Sequence, residues 1–193
     1  MARPSFQPTM RPDTPFSLED VLRRHLDEPP SRGFDCGRDA QNRYLYDRAY
    51  DEQQQMLSAT YLYYVSGILA SYVTVCMDGV VLGTRERPVS IPYKQVSALK
   101  LAQLGVDAHF QGHGLGAFVV AGVFAMAGDA ARQLGCRYVI LDSKPDLVDW
   151  YSTLGFRINK VMQKQRIEAA AGKRNPAAVP VSMRFDLLDY STL

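Results

Sequence analysis

A glycine-rich turn between a strand and a long apolar helix constrains this chain more than any other feature. The turn reads Gln111-Gly-His-Gly-Leu-Gly116. Ser97–Asp107 before it has strand character. Leu115–Leu134 after it has helical periodicity, with Phe118, Val119, Val123, Phe124 and Met126 available for a core. Gly135 stands where a helix-terminating glycine belongs. Arg137–Asp142, containing Tyr138-Val-Ile-Leu141, then reads as a buried strand. This succession points to the α/β class.

Such a turn gathers backbone N–H groups at a helix N-terminus, whose partial positive charge favours an anion. Glycine lets the backbone approach a ligand closely and take up a positive φ. The natural ligand is a phosphate or pyrophosphate. The bland alternative is a turn that only links strand to helix. A third reading is a dinucleotide site. Gly112-His-Gly114-Leu-Gly-Ala117 matches G-x-G-x-x-A, and Asp142 ends the next strand. Chain length counts against it, because only 51 residues follow Asp142 and one short helix is readable among them. That fingerprint also opens its domain, whereas about 80 structured residues come first here.

The remaining elements follow from punctuation and periodicity. Residues 1–16 hold four prolines and read as a flexible tail, leaving 17–193 as one domain. Ser17 with Asp20 suggests a capped helix stopping before Pro29–Pro30. Asp39–Leu57 reads as an amphipathic helix. Ala59–Val65 and Ile68–Cys76 read as a hairpin turning at Ser66–Gly67. Pro145–Leu154 is a short helix closed by Gly155. Phe156–Val161 and Val181–Leu187 read as final strands joined by a basic linker.

Composition excludes some classes. The chain is 47% hydrophobic and 22% charged, ordinary for a globular domain, and no stretch approaches the roughly 20 uncharged apolar residues of a membrane span. Cys36, Cys76 and Cys136 are scattered and odd in number, which argues against a disulfide framework or a zinc site and points to a reducing cytoplasm. No metal is expected. Net charge is +2, too small to demand nucleic acid. Residues 157–174 concentrate Arg157, Lys160, Lys164, Arg166, Lys173 and Arg174 against Glu168, and read as a solvated basic surface before a polyanion contact.

The stretch from Leu99 to Gly116 resembles motif A of the GNAT acetyltransferases, whose Q/R-x-x-G-x-G/A loop binds the coenzyme A pyrophosphate. Carried over, the loop residues are Gln111, Gly112, His113, Gly114, Leu115 and Gly116. Leu104, Gly105 and Val106 on the preceding strand would hydrogen-bond the pantetheine arm and help hold the acetyl carbonyl. Asp149-Trp-Tyr151-Ser-Thr-Leu-Gly155-Phe156 resembles motif B, with Trp150 where phenylalanine is usual. The resemblance makes Tyr151 the candidate general acid that protonates the departing thiolate; the alternative is a core aromatic with a satisfied hydroxyl. It implies a GNAT fold, a twisted, mostly antiparallel mixed sheet flanked by helices and splayed between strands 4 and 5. It also implies acetyl-CoA as cosubstrate, a primary-amine acceptor and direct transfer.

Phe34-Asp-Cys-Gly37, Tyr44-Leu45, Ala49, Thr60 and Pro180-Val-Ser-Met183 are similar to the GNAT subgroup containing aminoacyl-tRNA-acetylating toxins. That likeness implies charged tRNA as a further acceptor, a small antitoxin as partner, and a homodimer. Three acceptor readings stay open: a small or peptidyl amine, charged tRNA, and a non-enzymatic acyl-CoA-binding module. The general base also stays open among Asp107, Asp142 and relayed water, with Gln103 on the strand and no carboxylate before Asp107. His109 and His113 read as solvated loop histidines.

Overall fold

The computed structural model describes residues 16–171 and 179–190. Most of the proline-rich segment 1–16, and Lys173 and Arg174 of the basic stretch, lie outside the described residues. Seven strands form one sheet in the order β1-β2-β3-β4-β5-β7-β6. They are β1 (Leu22–His25), β2 (Ala59–Val65), β3 (Ile68–Val81), β4 (Gln95–Val106), β5 (Tyr138–Ser143), β6 (Arg157–Ile158) and β7 (Val181–Asp186). The helices are α1 (Asp39–Asp47), α2 (Ala49–Gln54), α3 (Leu115–Leu134), α4 (Val148–Thr153), α5 (Lys160–Ala170) and α6 (Leu187–Tyr190). β1 pairs antiparallel with β2, and β7 antiparallel with both β5 and β6. β4 and β5 are parallel.

The β4–β5 ladder pairs Ala98–Leu101 with Tyr138–Leu141. Both strands continue past it, β4 to Val106 and β5 to Ser143. The parallel pairing therefore ends before either strand does, which fits the expected splay.

The chain divides into two compact units, one running to Thr74 and including Gln103–Val119, the other formed by Val75–Ala102 and the chain from Val120. In the first, Leu26, Phe34, Cys36, Tyr44, Leu45, Ala49, Leu62 and Tyr72 form a buried cluster. The hydroxyls of Thr60 and Thr74, both fully buried, share a hydrogen bond of 2.8 Å, so neither polar group is left unsatisfied. In the second unit Val80, Leu82, Ala98, Tyr138 and Ile140 cluster together. Phe124 of α3 stacks on Phe185 of β7 at 4.2 Å, with Phe156 at 5.5 Å. The second unit also holds a largely buried ion pair, Arg184–Glu86 at 2.9 Å.

Several elements differ from the sequence expectations. The helix expected after Ser17 is a 3-10 turn, Leu18–Asp20, capped by Ser17 Oγ accepting from Glu19 N, and it leads into β1. Pairing with β2 makes Leu22–His25 a strand, an effect of distant chain that overrides the local cap signal. The single helix over 39–57 is two, broken at Arg48 with φ −135°. The strand expected over 156–161 is only two residues long. Asn159 caps α5 there, its Oδ1 accepting from Met162 N at 3.4 Å, so the basic linker is mostly helix. Phe118 is exposed rather than core. Among the described residues, α3 does have the length and apolarity of a membrane-crossing helix, contrary to the expectation that nothing approaches one. Val119, Val120, Val123, Phe124 and Ala127 form a buried stripe on one face, and a third of the helix's apolar window is buried.

Candidate active site

The glycine-rich loop is built from its anchors outward. β4 runs into Asp107, whose buried carboxylate caps a 3-10 turn, Ala108–Phe110. Oδ1 of Asp107 accepts from His109 N at 3.0 Å and meets His109 Nδ1 at 2.9 Å. Oδ2 accepts from Asp35 N at 2.8 Å. Ala108 N returns the link by donating to Asp35 O. This fixes the exit of β4 and buries Phe110.

Beyond that anchor Gln111, Gly112, His113 and Gly114 are all exposed. Gly112 has φ 79° and Gly114 φ 81°, backbone angles that L side chains rarely adopt. Nothing lies near the Cβ position at Gly112, so conformation alone calls for glycine there. His113 Nδ1 folds back to within 2.8 Å of Gln111 O. Phe118 N donates to Gly114 O, which opens α3. The amides of Leu115, Gly116 and Ala117 therefore have no acceptor within the helix. An exposed loop leading into helix-end amides without helical acceptors is suited to an anion.

The strand residues have separate tasks. Leu104 and Val106 are half-buried and Gly105 is buried. A Cβ on Gly105 would lie 2.6 Å from Tyr72 Cε1 and 3.1 Å from Phe34 Cζ, so packing excludes any side chain. Its carbonyl accepts from Ser71 Oγ at 2.7 Å. Burial pushes the Tyr72 phenol far up, and it stays neutral while donating to Gln41 O at 2.8 Å. The side chain of Gln111 braces the site: its Nε2 donates to Val106 O at 2.9 Å and Cys36 O at 3.1 Å. The sequence pattern singled out Gln111 for its main chain. The role of its side chain depends on a contact 75 positions away in sequence.

Tyr151 belongs to the second unit, on α4. It is buried, 4.7 Å from the Trp150 ring and 5.6 Å from Phe156, both edge-on. Its carbonyl accepts from Leu154 N and Phe156 N, which turns the chain at Gly155. Gly155 has φ 88° with Phe185 against it, so this tight turn also requires glycine.

The candidate bases are both engaged. Asp107 has the three contacts above. Asp142 meets Lys100 Nζ at 3.1 Å and Arg166 Nη2 at 2.6 Å. Neither cation was foreseeable from sequence, since both reach Asp142 from distant elements. The dinucleotide reading fails on topology: the ladders at β1–β2, β5–β7 and β6–β7 are antiparallel, unlike the parallel sheet that reading requires. The basic stretch is partly neutralised. Arg157 pairs with Asp189 and Lys164 with Glu168, besides Arg166 with Asp142. All three cysteines are free thiols.

No family model and no curated protein sequence matches this chain. Solved structures do. AtaT complexed with acetyl-methionyl-tRNAfMet superposes with a TM-score of 0.73 at 20% identity, covering 90% of this chain and 98% of that one. A tyrosine-to-phenylalanine mutant of KacT gives 0.73 at 17%, with the same coverage. A tyrosine-to-phenylalanine mutant of the AtaT toxin, bound to the C-terminus of the antitoxin AtaR and acetyl-CoA, gives 0.66 at 16%, covering 90% and 97%.

The chain has the GNAT fold.

Within this GNAT fold β4 and β5 are the parallel pair. The exposed glycine loop joins β4 to α3, and Tyr151 sits on the short helix after β5.

Proposed function

We propose that this protein is an acetyl-CoA-dependent N-acetyltransferase that transfers acetyl to a primary amine, and that the amine is the α-amine of an aminoacyl-tRNA. The observation that carries this reading is the exposed loop Gln111–Gly114, with two left-handed glycines at the N-terminus of α3. It is supported by likeness to GNAT-fold structures determined with acetyl-CoA and with acetyl-methionyl-tRNA.

In this reading the amides of Gly112–Gly116 hold the pyrophosphate, and the backbone of Leu104 and Val106 receives the pantetheine. Gly105 keeps the strand close to Tyr72, and Gln111 braces it. The acceptor amine, once deprotonated, attacks the acetyl carbonyl carbon directly. As the C–S bond breaks, the Tyr151 hydroxyl gives its proton to sulfur. Both neighbouring toxins were solved as tyrosine-to-phenylalanine mutants, which fits a tyrosine that matters to the chemistry. With Asp107 and Asp142 engaged in internal contacts, a water relayed by main-chain carbonyls is the base we favour. An antitoxin and a second copy of the chain are the expected protein partners, and the reducing cytoplasm the expected setting.

Thermal melts with acetyl-CoA, CoA and NAD(P) test the first step. A ligand at about 100 times its Kd stabilises a folded protein by roughly 2.7 kcal/mol. Stabilisation by acetyl-CoA, with an acetyl mass added to charged tRNA on incubation, is expected. Response to NAD(P) alone would sink the reading. Response to acetyl-CoA with no transfer to charged tRNA would move the acceptor to a small or peptidyl amine.

A further inference from the structure

The loop at Gln111–Gly114 poses a physical problem. Two glycines on either side of His113 give it wide conformational freedom, and ordering such a segment on binding costs affinity. A preorganised loop needs something to hold it.

The segment just before β1 lies against it. The Phe16 ring sits 5.6 Å from Phe110, edge-on, and 5.9 Å from the His113 ring. Leu18 Cδ1 is 4.0 Å from the Cβ position of Gly114. Phe16 and Leu18 are themselves half-buried. They are held from the other side by the Ser17-capped 3-10 turn and by the β1–β2 ladder, Leu22–His25 against Tyr64–Tyr61. A clip thus runs from the sheet edge to the loop tip, all within the first unit.

We propose that Phe16 is a positioning residue for coenzyme binding. It pins the His113 ring between itself and the Gln111 carbonyl, and so holds Gly112 and Gly114 in their left-handed, amide-presenting conformation. Leu18 supports the same loop at Gly114. Phe110, buried beneath, is the fixed surface against which Phe16 is set. The proposal rests on the acetyltransferase reading, since the ligand is the one assigned there.

The test uses the full chain. In Phe16→Ala, hydrogen exchange at the amides of residues 111–117 should rise in the ligand-free protein, with exchange in β4 and the body of α3 unchanged. If the loop holds its competent shape about a tenth of the time, apparent Kd and KM for acetyl-CoA rise roughly tenfold. kcat at saturating acetyl-CoA should stay within about twofold, and Phe16→Tyr should restore both readouts. His113→Ala should weaken binding similarly, and the double variant no further than either single change. Unchanged loop exchange in Phe16→Ala overturns the proposal whatever the coenzyme does. So does a lower melting temperature with KM unaltered, which would make Phe16 a cover for Phe110 alone. If wild type fails to bind acetyl-CoA in calorimetry, the acetyltransferase reading falls and the coenzyme role of Phe16 with it. If wild type binds and Phe16→Ala binds equally well, only the present inference falls.

Discussion

The amide of Asp35 donates to the buried carboxylate of Asp107 at 2.8 Å, across 72 positions of sequence. This bond, with Ala108 N donating to Asp35 O, ties the Phe34–Gly37 segment to the exit of β4 from which the glycine loop starts. Asp107→Ala leaves the amides of Asp35 and His109 without their acceptor, each costing about 1–3 kcal/mol. Urea unfolding should show a loss of at least about 2 kcal/mol, and Asp107→Asn, which keeps an acceptor oxygen, a smaller one.

Glycines of this site should separate by mechanism. Gly105→Ala drives a methyl to 2.6 Å from Tyr72, and overpacking of this kind costs about 1–3 kcal/mol of stability. Gly112→Ala meets open space but carries the strain of its positive φ, roughly 1–2 kcal/mol. The loop can relieve that strain only by leaving its amide-presenting shape. Melting curves with and without acetyl-CoA should therefore show Gly105→Ala weaker in both. Gly112→Ala should lose mainly the shift produced by ligand.

Tyr151→Phe removes a proton donor and little volume. Loss of a general acid typically lowers the rate by about 10²–10⁴-fold. The turnover of acetyl-CoA with a charged-tRNA acceptor should fall in that range, while the melting shift with acetyl-CoA persists. Retained turnover would return Tyr151 to the role of a core aromatic beside Trp150 and Phe156.

Glu86 should govern part of the acid limb of stability. Burial works against its ionisation, but the Lys160 and Val161 amides and the Arg184 guanidinium outweigh it and hold the carboxyl below its usual range. A depressed carboxyl contributes stability above the unfolded value of about 4.3, and loses it as pH falls through the lower folded value. Glu86→Gln should flatten the decline below about pH 4.3 in a stability–pH profile. At neutral pH it should cost about 1–3 kcal/mol, because the half-buried Arg184 loses its carboxylate and keeps its bond to Ile158 O.

The central strand–loop–helix–strand was legible because each piece carries a local physical signal. Apolar periodicity marked Leu115–Leu134, and glycine marked both ends of that helix. Ser66 and Gly67, with φ of 49° and 81°, formed the expected turn. The misread elements depend on distant chain. Leu22-Arg-Arg-His25 has exposed side chains throughout and is a strand only through β2. α5 begins at an asparagine cap that was legible but lay hidden in what looked like a strand. In the site, the loop's main chain was readable. The Gln111 brace, the Asp35–Asp107 bond, the engagement of Asp142 and the contact of Phe16 were not, because pairings between residues far apart leave no mark on either residue alone.

Two glycines and a few helix-end amides carry very little information per position. A pocket that grips its ligand with main-chain atoms lets almost every surrounding side chain drift. Lineages using such a grip can diverge until their sequences no longer align, while the backbone trace they share stays superposable.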